Sequence, residues 1–567
     1  MKPWLAHYDP DVRPSLAPYP DKTLLDYLEA LAREKPDATA LLFKGNAVTY
    51  GRLERESTAF AAALWELGVR KGDRVAILLP NCPQFFVAEF GIWKVGGVVV
   101  AVNPTYSGRE LEQVLESTRA ETVVVLSRFY ERIRAVQGGT AVTRVIATSI
   151  KDYLPFTLRV LFTLFKERKE GHRVRLANGD LWMRDLLARH AAAPRPQVTV
   201  TGGDRAVILS SGGTTGTPKG VVGLHRHYVI SGLQLHEWTK SASRPWVDVI
   251  MLPLPMFHVY ANVGVQPMAF VGPNPLSLIP NPRDIDDVLK TIEQVKPAFF
   301  NGVPTLYNAM LNHPDVRAGK VNLRSIRLCL SGASALLAET RRQFEQQTGA
   351  VMLEGYSLTE AMMACCINPV QGKGKVGSIG LPVSDVEARI VEVDEPTKEM
   401  PAGEIGELLL RAPQLMAEYW NNPQETAEVL RHYGPGGPWL HTGDLAYMDE
   451  DGFIFIVDRK KDMIKTSGFQ VWPREIEEVI AAHPAVHEVG VAGIPDPVKG
   501  EVAQAWVVLK PGKTVTEDEL RVYCRERLAP YKVPARVEFR TELPKTMVGK
   551  VLRRMLADTK AETKPAP

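Results

Sequence analysis

The sequence predicts an α/β fold with a small α+β domain at its C-terminal end, and the order of its apolar segments carries this prediction. An apolar segment at Arg74–Leu79 is followed by an amphipathic stretch at Pro83–Gly97 and by a second apolar segment at Val98–Val102. A strand, a helix and a strand in this order are typical of a parallel sheet covered by helices. The same alternation returns at Thr122–Leu126, Val142–Ala147, Ala298–Leu311 and Ile326–Thr348.

The pattern of apolar and charged residues changes in the last third of the sequence. Short alternating strands with acidic turns begin near Glu392–Glu407, and five consecutive charged residues follow at Asp458–Asp462. Such a charged run between apolar segments must be solvated or paired, which favours a domain boundary there. Beyond it, two helix patterns and two strand patterns are enough for a small α+β domain. These patterns lie at Arg474–Ala482, Thr516–Leu528, Val486–Ala492 and Ala503–Leu509.

Four segments are therefore expected. They are a large domain over residues 1–457, a hinge at 458–462, a small domain over 463–558 and a disordered polar tail over 559–567.

The composition is that of a soluble globular protein, with 45% hydrophobic and 23% charged residues among 567. A net charge of +3 is too small for a general nucleic-acid binder of this length. The five cysteines lack C-x-x-C spacing, which argues against a disulfide framework or a zinc site. We find neither a signal peptide nor the ~20 apolar residues that a membrane-spanning helix needs. We expect a protein that works in or beside the cytoplasm.

The most informative motif is SSGGTTGTPKG at residues 210–220, which follows the apolar segment Arg205–Leu209. Its four glycines let backbone N–H groups converge on phosphate oxygens, and Lys219 adds a mobile positive charge. It is not a Walker A loop, because Pro218 precedes the lysine and Gly220 replaces the Ser or Thr that would hold magnesium. The motif predicts a polyphosphate site rather than a flexible linker.

Two further motifs are weak when each is read alone. Glu354–Glu360 follows an apolar segment and could offer an aromatic face to a purine and a carboxylate to magnesium. Read alone, the motif is more simply explained as a tyrosine in a capped turn. Tyr419–Pro423 and Trp439–Asp444 form the next pair, in which Asp444 could accept hydrogen bonds from ribose hydroxyls or serve only as a turn aspartate.

The last two motifs are basic. The segment after the charged run contains Lys465, Ser467 and Gly468 and extends to Val471. Without further context, it is best interpreted as a solvated charged turn. Pro544–Val551 contains Lys550 after a glycine that leaves the loop without side-chain bulk, so the ammonium could reach into a site. Without context Lys550 is a surface lysine.

Taken together and in this order, the five segments resemble the adenylate-forming superfamily of acyl-CoA synthetases, firefly luciferase and peptide-synthetase adenylation domains. The resemblance covers nearly the whole chain. It implies a large N-terminal domain of two αβαβα-like subdomains and a distorted β-barrel, with a small mobile C-terminal α+β domain. It also implies ATP, Mg²⁺ and coenzyme A as cofactor or co-substrates.

The resemblance assigns roles residue by residue. The loop would hold the β- and γ-phosphates of ATP through Ser211, Gly212, Gly213, Thr214, Thr215, Gly216 and Lys219. Thr359 would contact the α-phosphate, Glu360 would bind Mg²⁺, and Gly355 and Tyr356 would pack along the adenine. Asp444 and Arg459 would hold the ribose, Asp458 would be the hinge, and Lys550 would stabilise charge at the α-phosphate. The positions that would line the acyl-adenylate and coenzyme A pocket are Lys461, Lys465, Ser467 and Gly468.

Within the superfamily, three segments resemble bacterial long-chain fatty acid–CoA ligases. These are the opening Lys2–Leu5 with Tyr8, the segment Pro253–Tyr260 and the run Asp458–Ile464. His258 is expected to line the acyl entrance rather than to act as a base. Tunnel walls carry no linear motif, so chain length stays open, and a medium-chain or aryl acid would fit the same motifs. The sequence is also compatible with a luciferase-like oxidase and with a fatty-acid carrier without ATP turnover.

Residues 154–175 pair an apolar stretch with a basic one. Leu154–Phe165 is too short to span a bilayer, and five basic residues follow from Lys166 to Arg175. Such a segment could lie in a membrane interface near anionic lipid, or it could be an internal helix packed on the first subdomain. A homodimer is plausible by resemblance only, and no nucleic-acid partner is expected.

Overall fold

The computed structural model describes residues 2–211, 219–363, 365–466, 469–545 and 551–558. By internal contacts the chain divides into two units. The larger unit consists of Leu5–Glu387 and Arg411–Leu440, and the smaller unit consists of Met1–Trp4, Ala388–Leu410 and His441–Pro567. The prediction of a mixed α/β fold with a large sheet-and-helix part and a smaller C-terminal part is confirmed.

The larger unit contains two extensive sheets. The first has strand order Glu418–Tyr419, Lys219–Leu224, Arg205–Ser211, Val98–Ala101, Arg74–Leu78, Thr122–Leu126, Arg144–Thr148 and Leu181–Trp182. The second has strand order Leu381–Pro382, Cys366–Ile367, Val351–Tyr356, Leu328–Ser331, Phe299–Gly302, Ile250–Leu252, Leu276–Leu278, Thr39–Phe43 and Asn46–Thr49. Parallel pairing dominates both interiors, as the strand–helix alternation predicts.

Helices cover these sheets, and their ends follow local sequence signals. Ser107 and Glu110 form a capping box, and proline occupies the first turn of several helices. The α-helices of the larger unit are Leu24–Glu34, Tyr50–Glu66, Pro83–Lys94, Gly108–Thr118, Tyr130–Val136, Phe156–Leu161, Met183–Arg189, His225–Thr239, Gln266–Val271, Ile285–Val295, Pro304–Asn312, Pro314–Arg317, Ala338–Thr348 and Pro423–Val429.

The helix Pro83–Lys94 corrects one expectation, because it is not amphipathic. Every residue from Pro83 to Lys94 is buried. Its two charged side chains find partners inside: Glu89 accepts hydrogen bonds from Asn262 and Gln266, and the Lys94 ammonium lies 2.6 Å from a carboxylate oxygen of Glu54. The sequence pattern misleads here because internal polar partners replace solvent for these two groups.

Residues 387–459 contain a five-stranded sheet. Its strands are Glu387–Val391, Gly406–Arg411, Trp439–Met448 and Leu430–Arg431 in that order, with Ile454–Arg459 paired to Trp439–Met448. Beyond it, a second five-stranded sheet has the order Phe469–Val471, Ile464–Thr466, Gly500–Leu509 and Val486–Asp496, with Arg536–Phe539 paired to Gly500–Leu509. The helices here are Pro473–Ala481, Glu517–Arg525 and Arg553–Asp558.

The smaller unit has its own apolar core, which supports the α+β prediction. Ile476 and Ile480 of the first helix, Leu520 of the second and Val491 and Val507 of the sheet are fully buried in one cluster. Across the described residues, no helix is both long and apolar enough to cross a bilayer.

Candidate functional site

The glycine-rich motif lies between two paired strands. Arg205–Ser211 and Lys219–Leu224 are antiparallel, with Ser210 opposite Gly220 and Ser211 opposite Lys219. The apolar segment predicted as a strand is therefore confirmed and extends to Ser211. Gly212, Gly213, Thr214, Thr215 and Gly216 lie outside the described residues. The motif leads from strand to strand, whereas a Walker A loop leads into a helix.

Lys219 stands at the start of the second strand with two near neighbours. Its ammonium lies 2.8 Å from a carboxylate oxygen of Glu425 and 5.1 Å from the centre of the Tyr419 ring. The Tyr419 hydroxyl donates a hydrogen bond of 2.8 Å to Oε1 of Glu360. Tyr419 thus links the predicted phosphate-binding lysine to the predicted magnesium ligand. We call Lys219, Tyr419, Glu360 and Glu425 the nucleotide-side cluster.

Backbone pairing explains why Tyr419 is there. Tyr419 lies opposite Val221 in a short antiparallel pairing, and the Trp420 amide donates to the carbonyl of Gly220 at 2.7 Å. A Cβ at Gly220 would meet Cβ of Trp420 at 3.2 Å, so glycine permits this close approach. The sequence motif at Tyr419–Pro423 drew attention to this residue without assigning it a role.

The tyrosine hydroxyl is a fixed donor. Burial and the neighbouring Glu360 carboxylate both raise the pKa of Tyr419, so its proton is retained at neutral pH. A retained proton keeps Oε1 of Glu360 in one orientation. The Met416 amide also donates to the backbone carbonyl of Glu360 at 2.9 Å, which fixes the main chain at the same residue.

Thr359 and Glu360 occupy a short 3₁₀ turn, Thr359–Ala361, after the strand Val351–Tyr356. Met362 and Met363 follow with φ of 49° and 77°, left-handed conformations that turn the chain sharply. Gly355 and Tyr356 end the strand and pair with Ile367 and Cys366. The structure therefore brings all four predicted residues of this motif to one strand end, each of them partly exposed.

A single carboxylate at this place fits magnesium. Mg²⁺ keeps several waters and binds through one or two carboxylates together with substrate phosphates, rather than in an all-protein cage. Glu360 supplies such a carboxylate close to the start of the strand that follows the glycine-rich motif. Among the described residues, no group of three His, Cys, Asp or Glu side chains could hold a metal by itself.

Asp444 and Arg459 belong to the smaller unit and face each other across paired strands. Nε of Arg459 lies 3.1 Å from Oδ1 of Asp444, and the aspartate is buried. Gly443 precedes it with φ of 69°, and the Asp444 amide donates to Oγ1 of Thr442 at 3.1 Å. The two residues predicted to hold a ribose are thus brought together.

Asp458 is buried rather than solvated. It lies on the strand Ile454–Arg459, which extends into the charged segment. Its carboxylate accepts hydrogen bonds from the Arg474 amide at 2.8 Å and from Nη1 of Arg553 at 2.6 Å. Arg553 also pairs with Glu477 at 2.6 Å, and the two carboxylates hold its pKa above the ordinary value despite burial. We call Asp458, Arg553, Glu477 and Arg474 the hinge-side cluster.

Arg553 and Glu477 were missed by sequence reasoning. Arg553 lies just beyond the Lys550 motif, and a cation in that place could pair with any of the charged residues upstream. Only the folded chain shows which carboxylates it meets.

The remaining predicted basic residues that the structure describes are exposed. Lys461 follows the charged strand end, and Lys465 lies on the strand Ile464–Thr466, where its amide donates to Glu501 at 2.9 Å. Ser467, Gly468 and Lys550 lie outside the described residues. Lys545 and Val551, which flank the Lys550 segment, form an antiparallel bridge.

His258 follows the buried strand Ile250–Leu252 and precedes a π-helical turn at Tyr260–Val265. Its Nδ1 lies 3.3 Å from the Tyr260 amide, which donates to it. Desolvation lowers the pKa of His258 to about 4, so the imidazole is neutral at pH 7 and a weak base. These features agree with a wall residue better than with a general base.

The fold is mixed α/β, and a glycine-rich motif between two paired strands adjoins a lysine and a carboxylate that a tyrosine holds. This arrangement indicates a nucleotide-binding enzyme. The family model described as AMP-binding enzyme matches residues 28–420, and the model described as AMP-binding enzyme C-terminal domain matches residues 475–550. The chain belongs to the AMP-binding enzyme family, and the resemblance to adenylate-forming enzymes is confirmed.

Relatives with assigned names match over nearly the full length. A long-chain-fatty-acid–CoA ligase of Bacillus subtilis is 39% identical over 99% of each chain, and one of Escherichia coli O157:H7 is 38% identical over 98% of each chain. Among solved structures, the anthranilate CoA ligase AuaEII in complex with anthranoyl-AMP has a TM-score of 0.81 at 29% identity. That match covers 94% of this chain and 96% of the other.

Proposed function

We propose that this protein activates a long-chain fatty acid with ATP and transfers it to coenzyme A. In the first half-reaction a carboxylate oxygen of the acid attacks the α-phosphorus of ATP, giving acyl-AMP and pyrophosphate. In the second, the thiol sulfur of coenzyme A attacks the acyl carbon and AMP leaves. Two full-length relatives carry the name of this activity. The observation that carries the proposal in this chain is the Lys219–Tyr419–Glu360 arrangement beside the glycine-rich motif.

The chemistry asks the protein for positioning and charge neutralisation, not for a covalent nucleophile. A free carboxylate is a poor acylating agent because it would have to expel oxide, whereas AMP is a good leaving group. This explains why the residues assigned to the site are hydrogen-bond donors, cations and carboxylates. When bound at Glu360, magnesium would neutralise charge on the phosphates and on the departing pyrophosphate.

In this proposal Tyr419 positions Glu360, and Lys219 exchanges Glu425 for a phosphate oxygen. The ammonium of Lys219 pairs with Glu425, and both side chains stay about a quarter to a third exposed, so the lysine could exchange this partner for a phosphate oxygen. Tyr419 keeps its proton and therefore holds Oε1 of Glu360, leaving the other carboxylate oxygen as the candidate metal ligand. Ser211 and residues 212–216 would complete the phosphate contacts.

The other roles stay as the resemblance implies. Thr359 would contact the α-phosphate, Gly355 and Tyr356 the adenine, and Asp444 and Arg459 the ribose. Lys461, Lys465, Ser467 and Gly468 would line the acyl-adenylate and coenzyme A pocket, and Asp458 would be the hinge between residues 1–457 and 463–558. Lys550 would stabilise the growing charge of the first half-reaction and would have to leave for the second.

The first experiment is ATP-dependent AMP release with straight-chain acids from acetate to stearate, with and without coenzyme A. Release that depends on coenzyme A and peaks with long chains is the expected result. Each methylene buried in an apolar tunnel contributes ~0.8 kcal/mol, so the profile measures the tunnel depth. No release with any acid, together with tight fatty-acid binding, would point instead to a carrier.

The role of Lys550 has a separate test. Lys550→Ala should lose acyl-AMP formation by orders of magnitude yet retain thioester formation from pre-made acyl-AMP. Equal loss of both half-reactions would remove the assigned role.

An aryl or medium-chain acid is the second candidate. The structural similarity to an anthranilate CoA ligase supports it, because that relative takes an aryl acid with the same fold. Benzoate, anthranilate and octanoate therefore belong in the same assay. Light emission or oxygen uptake from the adenylate would indicate a luciferase-like oxidase.

The location and assembly of the enzyme are also proposals. We place it in the cytoplasm with peripheral contact at the inner face of the membrane, because a long-chain acid partitions into lipid. A homodimer rests on resemblance alone, and sedimentation velocity of the full chain would test it.

A further inference from the structure

One short segment presents an unusual concentration of exposed apolar side chains. The α-helix Phe156–Leu161 continues directly into the π-helical turn Phe162–Lys166. Six large apolar side chains of this segment are between 41% and 77% exposed: Phe156, Leu158, Val160, Leu161, Leu164 and Phe165. A monomeric soluble protein rarely exposes so many contiguous apolar side chains without a binding purpose. We call these six residues the apolar face.

The side of the segment opposite the apolar face is anchored to the rest of the protein, so the exposed side chains do not belong to a frayed helix. Phe162 is buried and its ring lies edge-on to His172 at 5.2 Å, and His172 in turn contacts Oγ of Ser127 at 3.0 Å. Lys151 and Glu167 form a half-buried ion pair at 2.5 Å. The interpretation as an internal, packed helix is therefore wrong for this segment: one side is anchored while the apolar face stays open.

A basic set adjoins the apolar face. The segment 156–175 contains six Lys or Arg residues against two acids. Both acids are engaged, Glu167 with Lys151 and Glu170 with Lys166 at 3.6 Å. The basic side chains are all exposed: Arg159, Lys166, Arg168, Lys169, Arg173 and Arg175. Apolar side chains beside exposed cations are the arrangement of an interfacial anchor on anionic lipid.

We infer that the segment 156–175 docks this protein to an anionic membrane surface, with the apolar face inserted below the headgroups and the basic set on the phosphates. Charge favours a membrane over a second copy of the chain as the occupant. In a twofold contact the same positive patch would meet itself, which costs free energy unless acids intervene. The inference rests on the patch itself, and the proposed function gives it a use, since a long-chain acid dissolves in the bilayer.

The test is co-sedimentation of the full chain with vesicles. Vesicles of phosphatidylcholine with 30 mol% phosphatidylglycerol (about a third anionic lipid, to give the surface potential that basic segments require) are compared with pure phosphatidylcholine vesicles. Three variants are compared with the wild-type chain. The first carries Phe156→Ser, Leu164→Ser and Phe165→Ser, the second carries Arg168→Gln, Lys169→Gln and Arg173→Gln, and the control carries Val247→Ser and Val498→Ser. The two control valines are exposed apolar side chains outside the segment.

We expect the wild type and the control to bind anionic vesicles, and both triple variants to bind at least tenfold more weakly. Pure phosphatidylcholine should bind the wild type more weakly than the anionic vesicles, and high salt should release it. All variants should melt like the wild type and release AMP normally with a water-soluble acid, because the substituted side chains are exposed and outside the nucleotide-side cluster.

Three results would overturn the inference. One is vesicle binding by both triple variants at the wild-type level. Another is absence of wild-type binding to anionic vesicles. The third is a wild-type dimer that dissociates in the apolar triple variant, since the face would then be an interface between two copies. Vesicle binding without AMP release from any acid would instead contradict the proposed function and leave the docking inference standing.

Discussion

The nucleotide-side cluster and the hinge-side cluster use the same types of side chain in opposite ways. In the first, Lys219 and Glu425 pair while both side chains remain about a quarter to a third exposed. In the second, Arg553 meets Asp458, whose side chain is only 2% exposed. The more exposed a pair is, the closer its contribution comes to the ~0–1 kcal/mol of a surface salt bridge and the more easily it exchanges partners, whereas removing one partner of a buried pair costs ~3–5 kcal/mol. This contrast indicates that one cluster is suited to accept a ligand and the other to hold structure.

The largest expected effect is on the hinge side. Arg553→Met leaves Asp458 and Glu477 without their shared cation, so the smaller unit should lose ~3 kcal/mol or more. Hydrogen exchange on peptides from the helix Pro473–Ala481 would measure this as exchange at least 100-fold faster. Lys398→Met is the matched control, because Lys398 pairs with Glu392 on the surface. Equal protection in Arg553→Met and Lys398→Met would remove the distinction between the clusters.

Next comes Glu360→Gln on the nucleotide side. The variant keeps an acceptor for the Tyr419 hydroxyl but loses the charge that would bind magnesium, so AMP release should fall ~100-fold or more. Its thermal stability should change by less than ~0.5 kcal/mol, as for other partly exposed sites. AMP release and a melting curve measure both values. Glu425→Gln serves as control, and a similar loss of rate in both variants would contradict the assignment of the metal ligand to Glu360.

A smaller effect is expected for Tyr419→Phe, which deletes a single hydrogen bond. The loss of ~1 kcal/mol in positioning corresponds to a several-fold lower rate. The informative readout is the magnesium concentration at half-maximal AMP release, which should rise because Glu360 is no longer held. A rate that falls at unchanged magnesium dependence would mean that Tyr419 supports the fold only.

Glu89 extends the comparison to a fully buried carboxylate, whose hydrogen-bond donors are the amides of Asn262 and Gln266. Burial raises the pKa of Glu89 from 4.5 to about 8. The folded chain therefore holds a proton that the unfolded chain releases between pH 4.5 and 8, so this group's contribution to stability is present below that window and is lost as pH rises through it.

Glu89→Gln removes this titration. The melting temperature of the variant should fall less steeply between pH 5 and 8 than that of the wild type, where one proton contributes at most ~1.4 kcal/mol per pH unit. The Gln266 amide, whose oxygen has no hydrogen-bond partner among the described residues, can turn to accept from the new amide. Glu121→Gln, at an exposed carboxylate, is the control. Parallel pH profiles for wild type and Glu89→Gln would show that Glu89 does not titrate in this window.

Much of the fold could be predicted because apolar runs and turn residues are local signals. The strands predicted at Thr122–Leu126 and before the glycine-rich motif, and the two helices predicted for the smaller unit, lie where the periodicity indicates. The helix Pro83–Lys94 could not be read correctly, because its surroundings replace solvent for Glu89 and Lys94 and no local pattern records those surroundings. The segment 154–175 admits two equal interpretations from its sequence, and the exposure of its side chains argues against the packed internal helix.

Residue type and spacing alone were enough for the order of the five motifs, the α/β class with its small α+β partner, and Lys219, Glu360 and Asp444 as candidates, whereas Arg459 became a candidate only through the family resemblance. These signals persist whatever the chain packs against. The folded chain was needed to show that Tyr419 joins Lys219 to Glu360, that Arg553 neutralises Asp458, and that the apolar face stays open beside its basic set. Such contacts join residues 59 to 200 positions apart (Glu360 with Tyr419, Lys219 with Tyr419, Asp458 with Arg553). Their partners are chosen by the packing of the whole unit rather than by neighbouring residues.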